Sequence, residues 1–275
     1  MPRKTKVCLA MIVRNEEANL DEALSLAKGW ADEIVIVDDH STDRTVEIAR
    51  KYTDKIFSRK MDLEGRQRNF AVSKSSYDWV MFQDGDERLT QELKDEIDHD
   101  LDNHNGVSYG YWVPRKNYFG KVWLRHGGFY PSPHIKLYHR EYLAWKEEPG
   151  ELVHPGLNHL KPFKVTNFKN HLIHYNFRNV EDLIQKTNRQ TTFEALKWHL
   201  QGRKVTLSHG LWKPLDRFMK RYVMKKGYKD GFYGFVAAYL SGFYQFAAYS
   251  KFREIQKNKE YLHLLNPELT KTDKS

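Results

Sequence analysis

The stretch VCLAMIVRNEE, residues 7–17, decides the fold class of this chain. It begins with a continuous apolar run, Val7 to Val13, and ends in the polar cluster Arg14-Asn15-Glu16-Glu17. The run is short and lacks a cleavage site, so it predicts a buried β-strand rather than a secretory signal, and a chain that stays in the cytoplasm. Asn15 can cap a helix whose apolar residues recur at helical spacing between 20 and 27, and Gly29 can end that helix.

The same alternation of strand and helix continues through the first hundred residues. Apolar or β-branched runs predict three further strands at 34–37, 55–58 and 79–82. Helical spacing predicts helices at 64–75 and 90–102. Apolar runs separated by helices are typical of a parallel sheet covered on both faces. We therefore predict an α/β protein with a doubly wound, mostly parallel sheet, an irregular and antiparallel region after it, and C-terminal helices.

The composition limits the kinds of site that the chain can build. Its one cysteine, Cys8, excludes an intrachain disulfide and a multi-cysteine metal cluster. Residues 1–100 hold 16 Lys and Arg against 22 Asp and Glu, whereas the remainder holds 29 against 14. The acidic first part suits a divalent metal, and the basic second part suits a partner that carries phosphates.

Polar clusters follow three of the predicted strands, at residues 14–16, 38–43 and 84–87. In an open α/β sheet, ligands bind outside the carboxyl ends of the strands. One such cluster is often only a turn, but three on one edge predict a binding site. The chain has no Gly-x-Gly-x-x-Gly and no Walker A motif, which argues against a dinucleotide oxidoreductase and a P-loop NTPase.

Two pairs of carboxylates stand out within these clusters. Asp84 and Asp86 are two residues apart, so in extended backbone both side chains point the same way. Together they suit Mg²⁺ or Mn²⁺, which take few protein carboxylates and complete their shell with phosphate oxygens and water. Asp38 and Asp39 follow the second strand, where a carboxylate can accept hydrogen bonds from a nucleobase or from ribose hydroxyls. The plainer alternatives are an Asp-Gly turn for the first pair and a helix cap for the second.

With these motifs in view, Val7–Asp43 resembles the start of glycosyltransferase family 2. Gly65–Asn69 and Trp79–Glu87 are similar to the subgroup of lipopolysaccharide-core β-glucosyltransferases, as is the segment Lys226-Gly227-Tyr228-Lys229-Asp230-Gly231. The resemblance implies a GT-A fold, a nucleoside-diphosphate sugar donor and inversion at the anomeric carbon. Only the whole set of motifs is specific, because each is weak on its own.

The resemblance also implies roles for individual residues. Asp39 would contact the base, Asp84 the ribose or the metal, and Asp86 the metal and the diphosphate. The set predicted to bind the nucleotide sugar or its metal is Arg14, Asn15, Glu16, Asp38, Asp39, Arg66, Arg68, Asp84 and Asp86. For Arg66 and Arg68 a solvated helix face is an equally good interpretation.

The catalytic base is the least defined part of the predicted site. Inverting transfer needs a general base for the acceptor hydroxyl. The subgroup has Val-His-Glu near the acceptor side, whereas this chain has Val153-His154-Pro155, so that glutamate is absent. The candidates are Glu151 first, then Glu148 and His154.

The C-terminal third pairs a basic stretch with an uncharged one. Residues 213–229 hold seven basic residues and one acid, and residues 231–250 hold no charge. A buried core helix, an interfacial helix on anionic lipid and a membrane span all remain open for 231–250. We divide the chain into a nucleotide-sugar-binding half at 1–105, an acceptor and catalytic region at 106–178, and a helical region at 179–275.

Taken together, the sequence predicts a metal-dependent inverting glycosyltransferase that acts on a glycolipid or cell-envelope glycan such as a lipopolysaccharide core. We expect it in the cytoplasm, at the inner face of the inner membrane, with no nucleic-acid partner. The alternatives are a nucleotidyltransferase acting on a sugar phosphate and a non-enzymatic basic RNA-binding protein. This sequence has neither the glycine-rich basic loop that is typical of nucleotidyltransferases nor the RNP-type motif of RNA-binding proteins.

Overall fold

The computed structural model describes residues 3–104, 106–148 and 155–258, the side chain of His209 excepted. These residues form two compact units. The first contains residues 3–104, 106–118, 130–147 and 155–176, and the second contains residues 119–129, 148 and 177–258. The three-region division given above stays a prediction.

The first unit begins with regular alternation of strands and helices. Up to residue 102 its elements are β1 (Val7–Val13), α1 (Leu20–Ala27), β2 (Glu33–Asp38), α2 (Thr45–Ala49), β3 (Ile56–Ser58), α3 (Glu64–Ser73), β4 (Trp79–Phe82), β5 (Glu87–Arg88) and α4 (Gln91–Asp102). Strands then dominate. They are β6 (Ser108–Val113), β7 (Arg115–Phe119), β8 (Val122–Trp123, in the second unit), β9 (His134–His139), β10 (Leu143–Trp145), β11 (Leu157–His159), β12 (Lys164–Asn167) and β13 (Leu172–Phe177).

The main sheet has seven strands in the order β12-β6-β9-β4-β1-β2-β3. Strands β3, β2, β1 and β4 are parallel, and β9 runs antiparallel between β4 and β6. The register pairs Val13 with Asp38, so β1 and β2 end side by side. The sheet confirms the predicted α/β class, and the antiparallel β9 confirms the change of texture expected after the first hundred residues.

Apolar residues cover both faces of this sheet, as the continuous runs predict. Alternate residues of β1, such as Leu9 and Met11, pack with α1 and α4 on one face, whereas Ala10 faces α3 and β10 on the other. The predicted stripe of α4 is buried at Leu93, Ile97 and Leu101. The core therefore fixes β1, β2 and β4 rigidly and leaves their carboxyl ends to the loops.

One expected helix boundary is wrong. Asn15 does not cap α1, which begins at Leu20. Asn15 instead has a left-handed φ of +53°, and its side chain accepts a hydrogen bond from the loop after β2. Asparagine tolerates this backbone region better than most residues, which is why it serves here as a loop residue. The end of α1 is as predicted, since Gly29 follows it with a φ of +82°.

Helices make up most of the second unit. They are α5 (Val180–Leu200), α6 (Leu207–Met219), a π-helical turn (Lys220–Met224), a short 3₁₀ helix (Gly227–Asp230) and α7 (Gly231–Lys257). A small core around Phe119, Leu124, Leu183 and Ala237 holds α5 and α7 to the 119–129 segment. Among the helices of the described ranges, none is both long enough and apolar enough to span a bilayer.

Candidate active site

Hydrogen bonds tie the loop after β1 to the loop after β2 at the carboxyl edge of the main sheet. The N–H of Asn15 donates to Ser41 Oγ over 2.9 Å, and the N–H of Thr42 donates to Asn15 Oδ1 over 2.8 Å. The N–H of Glu16 donates to Thr45 Oγ1, also over 2.8 Å. The structure therefore brings the first two polar clusters together, because each loop supplies the acceptors for the other's backbone.

Asp38 and Asp39 are nearly buried and have different partners. The Asp38 carboxylate accepts the N–H of Ser41 at 3.1 and 3.3 Å, which closes the turn after β2. Asp39 accepts one hydrogen bond from Arg14 Nη1 at 3.0 Å and another from the N–H of Met61 at 2.8 Å. Asp38 thus shapes the loop, whereas Asp39 joins the predicted residue Arg14 at the mouth of the site.

Asp84 has a cation on each carboxylate oxygen. Arg68 Nη2 lies 3.0 Å from Oδ1, and Lys136 Nζ lies 2.7 Å from Oδ2. Burial alone would raise the pKa of Asp84, but the charges of Lys136 and Arg68 outweigh it and hold the pKa well below its usual range. Asp84 is therefore an ionised, fixed carboxylate at neutral pH.

A second buried carboxylate, Glu87, shares the same lysine. Lys136 Nζ lies 2.6 Å from Glu87 Oε2, and that oxygen also accepts the N–H of Asp84 at 3.1 Å. Arg115 lies 3.5 Å from the other Glu87 oxygen. Sequence reasoning missed Lys136 and Arg115. A signal existed for Lys136, because a lysine inside the apolar run of a predicted strand needs a carboxylate partner when the strand is buried.

Asp86 lies beside a histidine that sequence reasoning also missed. His174 Nε2 is 3.5 Å from Asp86 Oδ1. Its other ring nitrogen, Nδ1, is 2.6 Å from Asn117 Oδ1. An amide oxygen only accepts, so Nδ1 carries the proton and Nε2 presents its lone pair towards Asp86 in the neutral imidazole. His174 and Asn117 are both buried, which fixes this orientation.

Gly85 leaves room for Glu16 against the third cluster. A Cβ added at Gly85 would lie 3.0 Å from both Cγ and Cδ of Glu16 and 3.1 Å from its carboxylate oxygen Oε2. Glycine at this position therefore permits a carboxylate from the first loop to approach the Asp84–Asp86 turn. This contact joins all three predicted polar clusters at one edge of the sheet.

The two arginines of α3 have different surroundings. Arg68 is buried, lies over the rings of Phe82 and Trp145 at 4.4 and 4.7 Å, and reaches Asp84. Arg66 is half exposed and pairs with Asp62 one turn earlier. Arg68 therefore belongs to the site, and Arg66 lies on the solvated face of the same helix.

A known protein family matches the chain over residues 8–153. That family is glycosyl transferase family 2, and the match covers more than half of the chain. The chain belongs to glycosyl transferase family 2. This family 2 glycosyltransferase is similar to an uncharacterized glycosyltransferase of Rickettsia typhi, with 28% identity over 91% of this chain and 87% of that protein.

Two further similarities extend along most of the glycosyltransferase. The lipopolysaccharide core biosynthesis glycosyltransferase LpsC of Rhizobium meliloti is 25% identical over 88% of this chain and 89% of that protein. The crystal structure of residues 1–349 of Staphylococcus aureus TarS has a TM-score of 0.46 and 15% identity, and it covers 93% of this chain and 91% of that one.

The donor atoms around Asp86 fit a divalent cation that has few protein ligands. No group of three or more His, Cys, Asp and Glu side chains within the described ranges is arranged to hold a metal by itself. Mg²⁺ and Mn²⁺ need fewer, since they keep water and bind substrate phosphates. In this glycosyltransferase the protein ligands would be Asp86 and His174, because both oxygens of Asp84 already face cations.

The candidates for the catalytic base lie on a segment whose ends are well defined. Glu148 is exposed, and Glu151 and His154 lie outside the described residues. The N–H of Lys146 donates to the carbonyl of Gly156 over 2.9 Å, which joins the two ends of the segment. A Cβ at Gly65 of α3 would overlap the Lys146 carbonyl oxygen at 1.8 Å, so α3 and this end pack in direct backbone contact.

Proposed function

We propose that this glycosyltransferase transfers a sugar, with inversion, from a nucleoside-diphosphate sugar to a hydroxyl group of a glycolipid or cell-envelope glycan, and that the reaction requires Mg²⁺ or Mn²⁺. The observation that carries the proposal is the difference between Asp84 and Asp86. Asp84 is held by Lys136 and Arg68, whereas Asp86 Oδ1 lies 3.5 Å from the imidazole nitrogen Nε2 of His174.

This difference supports separate roles for the two carboxylates. Asp84 is ionised and fixed, so it is suited to accept hydrogen bonds from the ribose hydroxyls of the donor. Asp86 and His174 are suited to hold the cation at the diphosphate. Asp39, with Arg14 beside it at 3.0 Å, is suited to accept an N–H of the base. The nucleotide would then lie along the edge from β2 to β4.

The charge balance of the site supports a cation as part of the donor complex. The cations Arg68, Lys136 and Arg115 already pair with the carboxylates of Asp84, Glu87 and Glu64. A nucleoside diphosphate would bring further negative charge to a site whose nearby cations are already paired. A bound Mg²⁺ or Mn²⁺ would neutralise that charge and stabilise the leaving diphosphate as a Lewis acid.

In the proposed reaction, the acceptor oxygen forms a bond to the anomeric carbon on the face opposite the diphosphate. The bond between the anomeric carbon and the diphosphate oxygen breaks, and the hydroxyl proton passes to the general base. Glu151 remains our first candidate for that base, followed by Glu148 and His154. Lys146, before their segment, packs against Gly65 of α3, the helix that carries Arg68.

Similarity to LpsC, a lipopolysaccharide core biosynthesis glycosyltransferase, supports a lipopolysaccharide-core-like acceptor. Action at the cytoplasmic face of the inner membrane stays a prediction. Membership of the family decides against the alternative nucleotidyltransferase. The absence of a nucleic-acid partner stays a prediction.

The test begins with a panel of nucleoside-diphosphate sugars, each with and without Mn²⁺. Thermal shift and donor hydrolysis identify the donor, and NMR of the product reports the anomeric configuration. We expect Asp86→Ala to abolish transfer with the fold intact, and Asp95→Ala, an exposed carboxylate of α4, to transfer as wild type does. Transfer that persists undiminished in EDTA, or in Asp86→Ala, would contradict the proposal.

A further inference from the structure

Helices α6 and α7 of the second unit pack through small residues. A Cβ at Gly242 of α7 would lie 2.7 Å from the carbonyl oxygen of Pro214 in α6, and one at Gly210 of α6 would lie 2.3 Å from the ring of Tyr249. Only glycine permits approach this close. The remaining buried residues at the start of α7 are also small, namely Gly234, Ala237 and Ala238.

Large aromatic side chains between residues 232 and 246 of α7 face solvent instead, whereas Tyr249, Phe252 and Ile255 near the end of the helix are buried. Five aromatic residues recur at intervals of three or four residues and therefore form one stripe along the helix. They are Phe232, Phe235, Tyr239, Phe243 and Phe246. Each is 43–67% exposed. A helix of a water-soluble domain normally buries such a stripe against its core.

Helix α6 has the same reversed arrangement. Its less exposed residues form a narrow line, at Gly210, Pro214 and Phe218, and five other large apolar residues lie outside that line. Those exposed at 42–65% are Leu207, Leu211, Trp212, Leu215 and Met219. Small residues inside and large apolar residues outside are characteristic of helices that contact lipid.

The charges that flank these helices have one dominant sign. Six basic residues between 213 and 229 are exposed, and the only acid in that stretch is Asp216. The six are Lys213, Arg217, Lys220, Lys225, Lys226 and Lys229. Lys213, Arg217 and Lys220 follow one another at helical spacing, which places them on a stripe separate from the apolar residues of α6. An apolar face beside a basic stripe complements anionic headgroups above an acyl layer.

We propose that the outer faces of α6 and α7, together with the basic turn between them, form a docking surface for an anionic lipid bilayer. The aromatic rings would enter the boundary between headgroups and acyl chains, and the lysines would contact the headgroup charges. The helices would lie on the bilayer, in agreement with the absence of a spanning helix among the described residues. The inference does not depend on the proposed sugar transfer.

The experiment is co-sedimentation of the full chain with sucrose-loaded vesicles. One set contains only phosphatidylcholine, and the other contains roughly one third phosphatidylglycerol. We expect the wild type to bind the anionic vesicles, and to bind less at high salt. Trp212→Ser/Phe232→Ser should weaken binding by about ten-fold or more, because two partly buried aromatic side chains are lost. Lys220→Gln/Lys226→Gln should weaken it by about five-fold per charge, on anionic vesicles alone.

Matched controls come from the first unit. Leu160→Ser removes an apolar side chain that is 54% exposed, and Lys164→Gln removes an exposed charge. Both should bind as the wild type does. Circular dichroism checks that each variant is folded. If Trp212→Ser/Phe232→Ser fails to fold, the variant Tyr239→Ser/Phe243→Ser takes its place.

Two outcomes would overturn the proposal. One is vesicle binding that contradicts the expectation: either the wild type sediments with neither vesicle type, or the aromatic double variant binds as strongly as the wild type. The other is absence of vesicle binding together with self-association that the aromatic variant abolishes, because the surface would then be covered by a second copy of the chain. Sedimentation velocity over a range of concentrations measures the second outcome.

Discussion

The imidazole of His174 lies 3.5 Å from the carboxylate of Asp86, with Nε2 towards Oδ1. Two acceptors at this separation repel each other unless the imidazole is protonated or a cation lies between them. The hydrogen bond from Nδ1 to Asn117 fixes the tautomer that leaves Nε2 as a ligand. Asn117 thus acts on the site through the histidine.

The first prediction concerns Mn²⁺ affinity. His174→Ala removes a ligand, and Asn117→Ala removes the group that orients it, which typically weakens metal binding about 10–100-fold. Calorimetry with Mn²⁺ in the presence of nucleoside diphosphate measures both. His171→Ala, which replaces another histidine of the same unit, should keep wild-type affinity. Equal Mn²⁺ affinity in all four proteins would remove His174 from the metal site.

The second prediction concerns the stability of the buried charge cluster. Lys136 lies within 2.7 Å of both Asp84 and Glu87, so Lys136→Met leaves two carboxylates without their shared cation. Loss of one partner of a buried ion pair costs about 3–5 kcal/mol in the free energy of unfolding. Urea denaturation at neutral pH measures it.

The exposed Lys164→Met is the control for that change, with an effect within about 0.5 kcal/mol. A second variant, Lys136→Met/Glu87→Gln, should recover part of the loss, since it removes one of the two unpaired charges. If Lys136→Met unfolds at the wild-type urea concentration, the cluster is not a stabilising one.

The third prediction concerns pH and the loops at the site. Burial alone would raise the pKa of Asp43, but hydrogen bonds from Thr45 and from the N–H of Glu17 outweigh it and lower the pKa below its usual value. A depressed pKa in the folded state contributes stability above the unfolded pKa, near 4, and this stability is lost as the pH falls. Asp43 thus stabilises the native state at neutral pH and not in acid.

Asp43→Asn should therefore be less stable than the wild type above about pH 5 and should approach it as the pH falls through 4 and below, because both side chains are then neutral. Urea denaturation at a series of pH values gives the difference between the two free energies of unfolding. A difference that stays constant over this range would show that the charge of Asp43 contributes nothing.

The fourth prediction concerns the base of the nucleotide. Asp39→Ala removes the carboxylate that holds Arg14 and the N–H of Met61. Contacts with the base are the same in the ground and transition states, so donor affinity should fall while turnover of bound donor changes little. Calorimetry with the nucleoside diphosphate, and kcat at saturating donor, separate the two effects. Unchanged diphosphate affinity would contradict the role of Asp39.

Much of the fold could be predicted from local patterns. The apolar run at 7–13 and the β-branched run at 34–37 predicted β1 and β2, since a strand covered on both faces leaves a continuous signal. The location of Asp39 and Asp84 at the carboxyl edge of the sheet could also be predicted, because each follows the end of a predicted strand. The lysine within the apolar run 135–138 signalled that Lys136 needs a carboxylate partner, but no local pattern identifies Asp84 and Glu87, which are 52 and 49 residues away along the chain.

Local sequence patterns also did not predict the position of His174 beside Asp86 or which face of α7 is buried. His174 is one of thirteen histidines without repeated ligand spacing, and its role depends on Asn117 from another strand. The sequence of 231–250 left three interpretations open. The structure adds that the small residues Gly234, Ala237, Ala238, Gly242 and Ala248 are buried, which only packing against other elements of the unit defines.

The last prediction concerns the general base. Glu148, Glu151 and His154 belong to the segment between Lys146 and Gly156, which are joined by a backbone hydrogen bond, and Lys146 packs against Gly65 of α3. A carboxylate or imidazole there could take the proton of the acceptor hydroxyl as a general base. Single alanine variants are assayed at saturating donor. The true base should lose about 10²–10⁴-fold in turnover and bind the nucleotide normally.

The control is Glu147→Ala, a neighbouring carboxylate that already accepts a hydrogen bond from Asn69 at 2.7 Å and should therefore keep its turnover. A pH profile separates the base from a structural residue, because only loss of the base removes the acidic limb of turnover against pH. If the variants at Glu148, Glu151 and His154 all keep near wild-type turnover, the base lies outside this segment, and the reaction takes its proton acceptor from another part of the chain.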